Sequence, residues 1–442
     1  MENIKILKGF KPRLAGMPDI SVIQAEAPET IAVPAMDIPY IRPRLLVKEN
    51  DLVKTGTPLF CDKRNNCIVY TSPGTGIVKQ IVFGKRRRLK EVVIALDKKD
   101  DFIRFETLPR DSINTIPKSK IVKLLQEGGL WQSFREFPFK DTAGENRRPP
   151  MIIVSLNGND PFSPHPEVVL ENNKDYFEFG IKLLKRFSEQ IIITSRKSSL
   201  EKLNKFKNHI THIVPDFYPA WDPGVVLYYL KKFPAENHSW CISVQHLILV
   251  AKFLLTGIYP VKRIITVTRP NNKKPHVVTR QGAPVKDLVG SLDDNLFITT
   301  GRFNGRAVGR ESHMGFFENT LALIPDNQKE VLFGFIQPGL TKPTASRTFL
   351  SCLTRAPKTL DCNLHGEERA CINCGYCTNI CPNDLAPSFI MKALSSDDIE
   401  DALSYGLLDC CRCGLCSYAC PSKIELTEIL SHGMDAHYKD KE

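Results

Sequence analysis

Eight cysteines within fifty residues near the end of the chain constrain it more than any other feature. Cys371, Cys374, Cys377 and Cys381 read C-x2-C-x2-C-x3-C before Pro382, and Cys410, Cys413, Cys416 and Cys420 repeat that spacing before Pro421. This is the run by which bacterial-type proteins hold two [4Fe–4S] clusters. Three thiolates on one tight turn reach three irons of a cube only if the backbone curls around it. Gly375 and Gly414 remove a Cβ where the chain must pass close. The fourth cysteine leaves its loop and, in the two-cluster arrangement, ligates the other cube. The expected metal ligands are therefore Cys371, Cys374, Cys377 and Cys420 for cluster 1, and Cys410, Cys413, Cys416 and Cys381 for cluster 2. Structural zinc favours C-x2-C pairs roughly 15–20 residues apart, and disulfide frameworks suit small secreted domains; both fit the repeat less well. Cys411, squeezed between ligands, reads as a spare thiol.

At 442 residues the chain is too long for one core and is expected to form three or four domains. The other six of its 14 cysteines are scattered without a disulfide rhythm, which fits a reducing cytosol. The start, Met1 to Lys5, has no apolar signal segment. The longest apolar stretch, 247–261, is interrupted by Lys252 and falls short of the ~18 residues a spanning helix needs. Neither a signal peptide nor a transmembrane helix is expected. The net charge of +11 is compatible with acidic lipid headgroups or an acidic partner, and equally with an ordinary solvated surface. There is no nucleic-acid motif, so no nucleic-acid partner is expected.

Residues 1–100 read as strands and turns. The alternating stretch 47–59 turns at Gly56, and Ser72-Pro73-Gly74-Thr75-Gly76 precedes a strand through Ile81. The pair resembles the barrel-sandwich fold of biotinyl and lipoyl carriers. Lys63 lacks a carrier lysine's context, so a packing module is expected. The basic run Lys85-Arg86-Arg87-Arg88-Leu89-Lys90 reads as a solvated hairpin end. A helix is expected from Lys118 to Gly128-Gly129, followed by a linker over 141–150. Beyond it, apolar strand-length runs at 151–155, 190–194 and 210–214 alternate with helical segments, which predicts an open parallel sheet. Its ligands would sit beyond the strand carboxyl ends, at 155–160 and 215–224. His165, His212 and His246 stand singly and read as ordinary polar residues. No G-x-G-x-x-G or G-x4-G-K-[ST] is present. Strands are expected again at 263–268, 276–279, 296–300, 320–325 and 331–336, with a turn at 270–272 and a short helix after Gly282. Between the cysteine runs, one helix is expected at 385–394. A second is expected to be capped by Ser395, with Asp398 three residues on, and to end at Gly406.

From end to end these residues are similar to the NqrA family, the A-type subunits of the Na+-translocating NADH:quinone reductase, and to the related C-type subunits of Rnf complexes. The resemblance rests on Leu7-Lys8-Gly9-Phe10, Leu14-Ala15-Gly16-Met17-Pro18, Glu127-Gly128-Gly129-Leu130-Trp131, Phe137-Pro138-Phe139, Gly282-Ala283 with Asp287-Leu288, Glu330 to Phe335 with Pro338-Gly339, and His365 to Arg369. It implies a multidomain α+β chain: a barrel-sandwich hybrid domain at 1–100, a Rossmann-like α/β domain with an N-terminal helical linker at 101–260, a β-grasp (SLBB-like) domain at 261–345, and an α-helical ferredoxin domain at 346–442. The common A-type form lacks most of these cysteines, whereas the Rnf C-type form has them together with a glycine-rich flavin and NADH loop. Here Trp131 and Phe134 occupy that loop's place, so no flavin or NADH site is expected.

The resemblance further implies a peripheral subunit on the cytoplasmic face of the membrane. Its partners would be the other subunits of the redox complex, integral-membrane ones included. It would take part in electron transfer to quinone coupled to Na+ export, with quinone as a substrate at residues the sequence does not assign. Two readings compete: an Rnf-type input subunit between NADH and ferredoxin, and a non-catalytic scaffold with structural clusters.

Overall fold

The computed structural model describes all residues except 271–273, 292–294, 327–332, 334–337, 341–344, 346–348, 364–366 and 442. The expected strand at 331–336, most of the turn at 270–272, and the resemblance-bearing residues 330–335 and 365–366 fall wholly or largely outside the described residues.

The N-terminal barrel-sandwich packs two sheets. One runs Thr30–Pro34, Leu89–Leu96, Gly76–Phe83, Leu52–Val53; the other runs Pro43–Leu45, Pro58–Asp62, Asn65–Thr71. Within the first sheet, a Cβ on Gly76 (φ 158°) would lie 1.9 Å from the Ala95 carbonyl oxygen of the paired strand. The tip at Asp62–Asn65 is tied down rather than free. Arg64 pairs with Asp62 at 2.7 Å and with Asp141 at 2.8 Å, which fits a packing module.

The second unit is a seven-stranded sheet. Its core order is His212–Val214, Gln190–Arg196, Met151–Ser155, Trp240–Ser243, all parallel, with Arg135–Glu136 and Asp141–Thr142 added antiparallel. Both faces are covered, so the strand Met151–Ser155 is apolar throughout rather than alternating. Ile152 and Val154 face the core that holds helices Lys174–Leu184 and Val244–Thr256. Met151 and Ile153 face helix Pro223–Leu230 and, beyond it, Ile380, Leu415 and Ala419 of the cysteine region. The stretch 239–255, which carries mixed signals in the sequence, resolves where the Ser243 hydroxyl accepts the His246 N–H: strand before, helix after. Among the described residues no helix is long and apolar enough to cross a membrane.

Helix Lys118–Glu127 forms as expected and ends at Gly128-Gly129. A Cβ on Gly128 would meet the Phe253 ring at 2.1 Å. Trp131 and Phe134, just after this turn, are fully buried with Phe187 and Trp240.

The third sheet orders Leu296–Thr299, Thr320–Pro325, Lys262–Thr268, His276–Arg280 and Val22–Gln24, with helix Val285–Val289 on one face. Two early segments thus leave the 1–100 stretch. Val22–Gln24 pairs here with 276–278, and Glu2–Asn3 pairs in parallel with His212 and Ile213 at the edge of the seven-stranded sheet. Local sequence holds no trace of either partner.

The C-terminal region is helical: Tyr376–Ile380, Pro387–Ser395, Ile399–Ser404, Leu415–Ala419 and Leu426–Lys441. Gly406 (φ 88°) follows the third helix as expected, but the cap is Asp398, which accepts the Asp401 N–H. Ser395 instead turns back onto the Met391 carbonyl, one turn before, inside the preceding helix.

Candidate iron–sulfur site

The two cysteine loops are structural copies 39 residues apart. Asn373 and Arg412 both take left-handed backbone (φ 52° and 57°), as do Gly375 and Gly414 (74° and 84°) and, past the Cys-Pro pairs, Asp384 and Lys423 (54° and 61°). Each loop enters a five-residue helix, Tyr376–Ile380 or Leu415–Ala419, and these two helices pack on each other. The helices that follow, Pro387–Ser395 and Leu426–Lys441, pair likewise. This pairing swings the end of each motif into the other half.

As a result Cys371, Cys374, Cys377 and Cys420 line one shared cavity, together with Gly375 and Pro421. Cys381 lies with Cys410 in a neighbouring apolar cluster, and its field reaches Cys413 and Cys416. Burial pushes the thiols of Cys381, Cys410 and Cys416 up to about 12. Only thiolates ligate iron, so iron must displace these protons. Among the described residues no three His, Cys, Asp or Glu side chains converge on a single-ion site. A four-iron cube asks for something different, one thiolate at each corner. All 14 cysteines are free of disulfides.

The two halves differ in surroundings. The first loop faces solvent: Cys374 is exposed and Ile372 is 67% exposed. The second is built into the α/β unit. The Tyr218 hydroxyl donates to the Cys413 carbonyl (2.7 Å), and Tyr229 donates to the Pro382 carbonyl (2.9 Å). Lys231 pairs with Asp409, whose carbonyl also accepts from the Asn383 amide at 2.6 Å. On the far side, Arg412 and Tyr40 both bond to Asp435, at 2.7 Å each, and Tyr40 stacks on Tyr438 at 4.0 Å. The C-terminal helix is thereby fixed to the barrel-sandwich. Apart from Arg412, which fills a spacer position of the second motif, none of these anchors belongs to a motif. Only the buried environment of single tyrosines and charges reveals them.

The glycines divide accordingly. A Cβ on Gly414 would lie 2.1 Å from the Phe303 carbonyl oxygen, so glycine there admits the backbone of another domain, a contact different from the curl around a cube expected from sequence. A Cβ on Gly375 meets no protein atom within 4 Å, and its left-handed backbone (φ 74°) favours glycine. Gly375→Ala is expected to cost about 1–2 kcal/mol, whereas Gly414→Ala must also displace backbone and costs at least twice that. Chemical denaturation of the two variants checks the ranking.

Cys411 is packed rather than loose. It hydrogen-bonds Cys413, its Cβ lies 3.3 Å from where a Cβ on Gly224 would stand, and it sits beside the Lys140–Asp222 pair (3.1 Å). That hydrogen bond and burial hold its thiol well above the ordinary value. His165, His212 and His246 are not brought together. The His165 N–H donates to His276 (2.9 Å), His212 faces Glu2, and His246 lies between Ser243 and the Phe316 carbonyl, where burial drives it down to about 3 and keeps it neutral. A separate cavity of about 290 Å³ opens at the strand carboxyl ends, lined by Asn157, Gly158, Arg196, Ser199, Lys202 and Trp221 among others. Its cations are already paired, Arg196 with Asp216 and Lys202 with Glu167.

Comparison with known proteins assigns a family to three parts of the chain. Residues 4–97 match the family described as the NqrA N-terminal barrel-sandwich hybrid domain, residues 116–259 the NqrA second alpha/beta domain, and residues 370–424 a 4Fe-4S dicluster domain. The chain is 30% identical over 412 residues to the A-type subunit of the Na(+)-translocating NADH-quinone reductase of Marinomonas sp. (strain MWYL1), covering 92% of each. It is 28% identical over 413 residues to the counterpart from Psychromonas ingrahamii and 27% over 414 residues to that from Pasteurella multocida, again covering 92% of each. Among solved structures, an NAD+-reducing [NiFe]-hydrogenase aligns over 50% of this chain and 49% of its own, at 12% identity and a TM-score of 0.35, too distant to bear on function.

Proposed function

Because the chain belongs to the NqrA family, the A-type subunits of the Na(+)-translocating NADH-quinone reductases, we propose that it is a peripheral subunit of such a complex and that it holds two [4Fe–4S] clusters. It takes part there in electron transfer to quinone coupled to Na+ export. One observation carries the cluster assignment: a cavity lined by three cysteines of one loop and the fourth cysteine of the other. Cys371, Cys374, Cys377 and Cys420 hold one group; Cys410, Cys413, Cys416 and Cys381 hold the second. Such groups, when bound, supply reversible one-electron storage with little rearrangement.

The chain's own residues set their environment. The exposed first loop is the side open to a partner. The second loop is dried by Phe303, Tyr218 and the helix Pro223–Leu230, and water exclusion and hydrogen bonding to the ligand loops tune such sites. The parallel order of the second sheet supports a Rossmann-like domain, and the third sheet with its helix supports a β-grasp, SLBB-like one. Trp131 and Phe134 fill the space behind Gly128-Gly129, which supports placing flavin and nicotinamide chemistry in other subunits. With no membrane-crossing helix among the described residues, Na+ passage falls to integral-membrane partners, and this chain sits on their cytoplasmic face.

The test is anaerobic purification with iron and sulfide counts, followed by a redox titration. About eight irons are expected, in two reversibly reducible centres. A colourless, iron-poor preparation overturns the cluster assignment. Centres that cannot be reduced reversibly favour the scaffold reading instead.

A further inference from the structure

The hairpin joining Gly76–Phe83 to Leu89–Leu96 carries Lys85, Arg86, Arg87 and Arg88 in succession, all exposed. Among the described residues none of the four side chains has a hydrogen-bond or ion-pair partner. Two carboxylates of the same domain have partners of their own. Asp37 pairs with Arg306 at 2.7 Å, and the buried Glu91 pairs with His313 at 3.2 Å.

The backbone makes the charges more telling. Arg86 (φ 56°, ψ 32°) and Arg87 (φ 54°) are consecutive left-handed residues. That geometry is served most easily by Asn-Gly, and a side chain with a Cβ strains there. Arginine occupies both positions although, among the described residues, neither guanidinium has a hydrogen-bond or ion-pair partner, so no polar contact offsets the strain. Beside the turn, Phe83 is 47% exposed and Met36 is 53% exposed, with the Met36 sulfur 3.1 Å from where a Cβ on Gly84 would stand. Cationic side chains flanked by exposed apolar ones are the composition of a membrane-surface contact. The sequence carries no nucleic-acid motif, so a bilayer is the favoured anionic surface.

We propose that this hairpin docks on the surface of a bilayer containing anionic phospholipids. Lys85 to Arg88 meet the headgroup phosphates, and Phe83 and Met36 enter the headgroup boundary. The contact is made by the chain itself and adds to any attachment through partner subunits.

The experiment is co-sedimentation of the full-length protein with vesicles of phosphatidylcholine alone and of phosphatidylcholine with phosphatidylglycerol. Binding to the anionic vesicles only is expected, weakening as salt shortens the screening length. Each surface cation contributes roughly a factor of five to such partitioning, so the double variant R86N/R87G is expected to bind about 25-fold more weakly. The same variant places Asn-Gly in a turn suited to it, so its melting temperature holds or rises and misfolding does not explain the loss. F83S is expected to weaken binding while leaving its salt dependence in place. Equal binding to neutral vesicles overturns the proposal, as does undiminished binding by R86N/R87G. Failure of the unaltered protein to bind anionic vesicles overturns it too, and leaves an acidic protein surface as the occupant.

Discussion

Cys420→Ser is expected to erase the same EPR signal as Cys374→Ser and to spare the one lost in Cys413→Ser. Cys420 follows the second loop in sequence, yet it lines the cavity of the first. The mirror-image result is expected for Cys381→Ser, which should behave like the Cys413 variant. Each single substitution should lower the iron content from about eight to about four per chain. Loss of the Cys420 signal together with that of Cys413 would show that each loop keeps its own fourth cysteine, and the crossed ligand sets would be wrong. Stability should divide along the same line. The second loop is anchored by Tyr218 and Lys231, and Tyr229 holds Pro382 beside Cys381, the fourth ligand of that site, so a site emptied there loosens the contact with the α/β unit. Cys416→Ser is therefore expected to lower the melting temperature more than Cys374→Ser, because metal binding contributes directly to folding free energy.

Trp131→Ala is expected to be the most destabilising change outside the cysteine region. The indole is fully buried against Phe134, Phe187 and Trp240, with ring centroids 5.1, 5.8 and 5.8 Å away, and its N–H donates to the Ala143 carbonyl at 2.9 Å. Truncating a buried tryptophan costs about 3–5 kcal/mol, and the orphaned carbonyl adds about 1 kcal/mol or more. For a unit of roughly 150 residues this lowers the unfolding midpoint by on the order of 10 °C. Thermal melts followed by near-UV circular dichroism would register it. A shift of only a degree or two would mean that the space behind Gly128-Gly129 can be emptied cheaply, and the case against a ring-shaped ligand there would weaken.

Much of this architecture is legible in the chain because its signals are local. Helix Lys118–Glu127 announces itself through apolar spacing and its double glycine. The strand Met151–Ser155 does so through an unbroken apolar run, and the cysteine loops through a repeat whose spacing is itself the geometry. What escapes is set by partners far away in sequence. Nothing in Glu2-Asn3 or Val22–Gln24 distinguishes a strand from a tail, since their ladders exist only with 212–213 and 276–278 in place. The cap at Asp398 rather than Ser395 is a smaller case. Both residues are of cap type and three positions apart, and only the side-chain geometry separates them. The anchors of the second cysteine loop stayed hidden for another reason. A tyrosine hydroxyl aimed at a backbone carbonyl, as in Tyr218 to Cys413, has no sequence signature. The exposure of one loop and burial of the other was invisible too, because the two motifs are nearly identical while their neighbours are not.

The stitching of Glu2-Asn3 to residues 212–213 and of Val22–Gln24 to 276–278 has a consequence during translation. A ribosome adding roughly 5–20 residues per second releases the first strand on the order of ten seconds or more before its neighbour exists. The newborn segment must wait undocked, open to chaperones and proteases. The seven-stranded and five-stranded sheets therefore each acquire an edge strand from a segment made long before its neighbour.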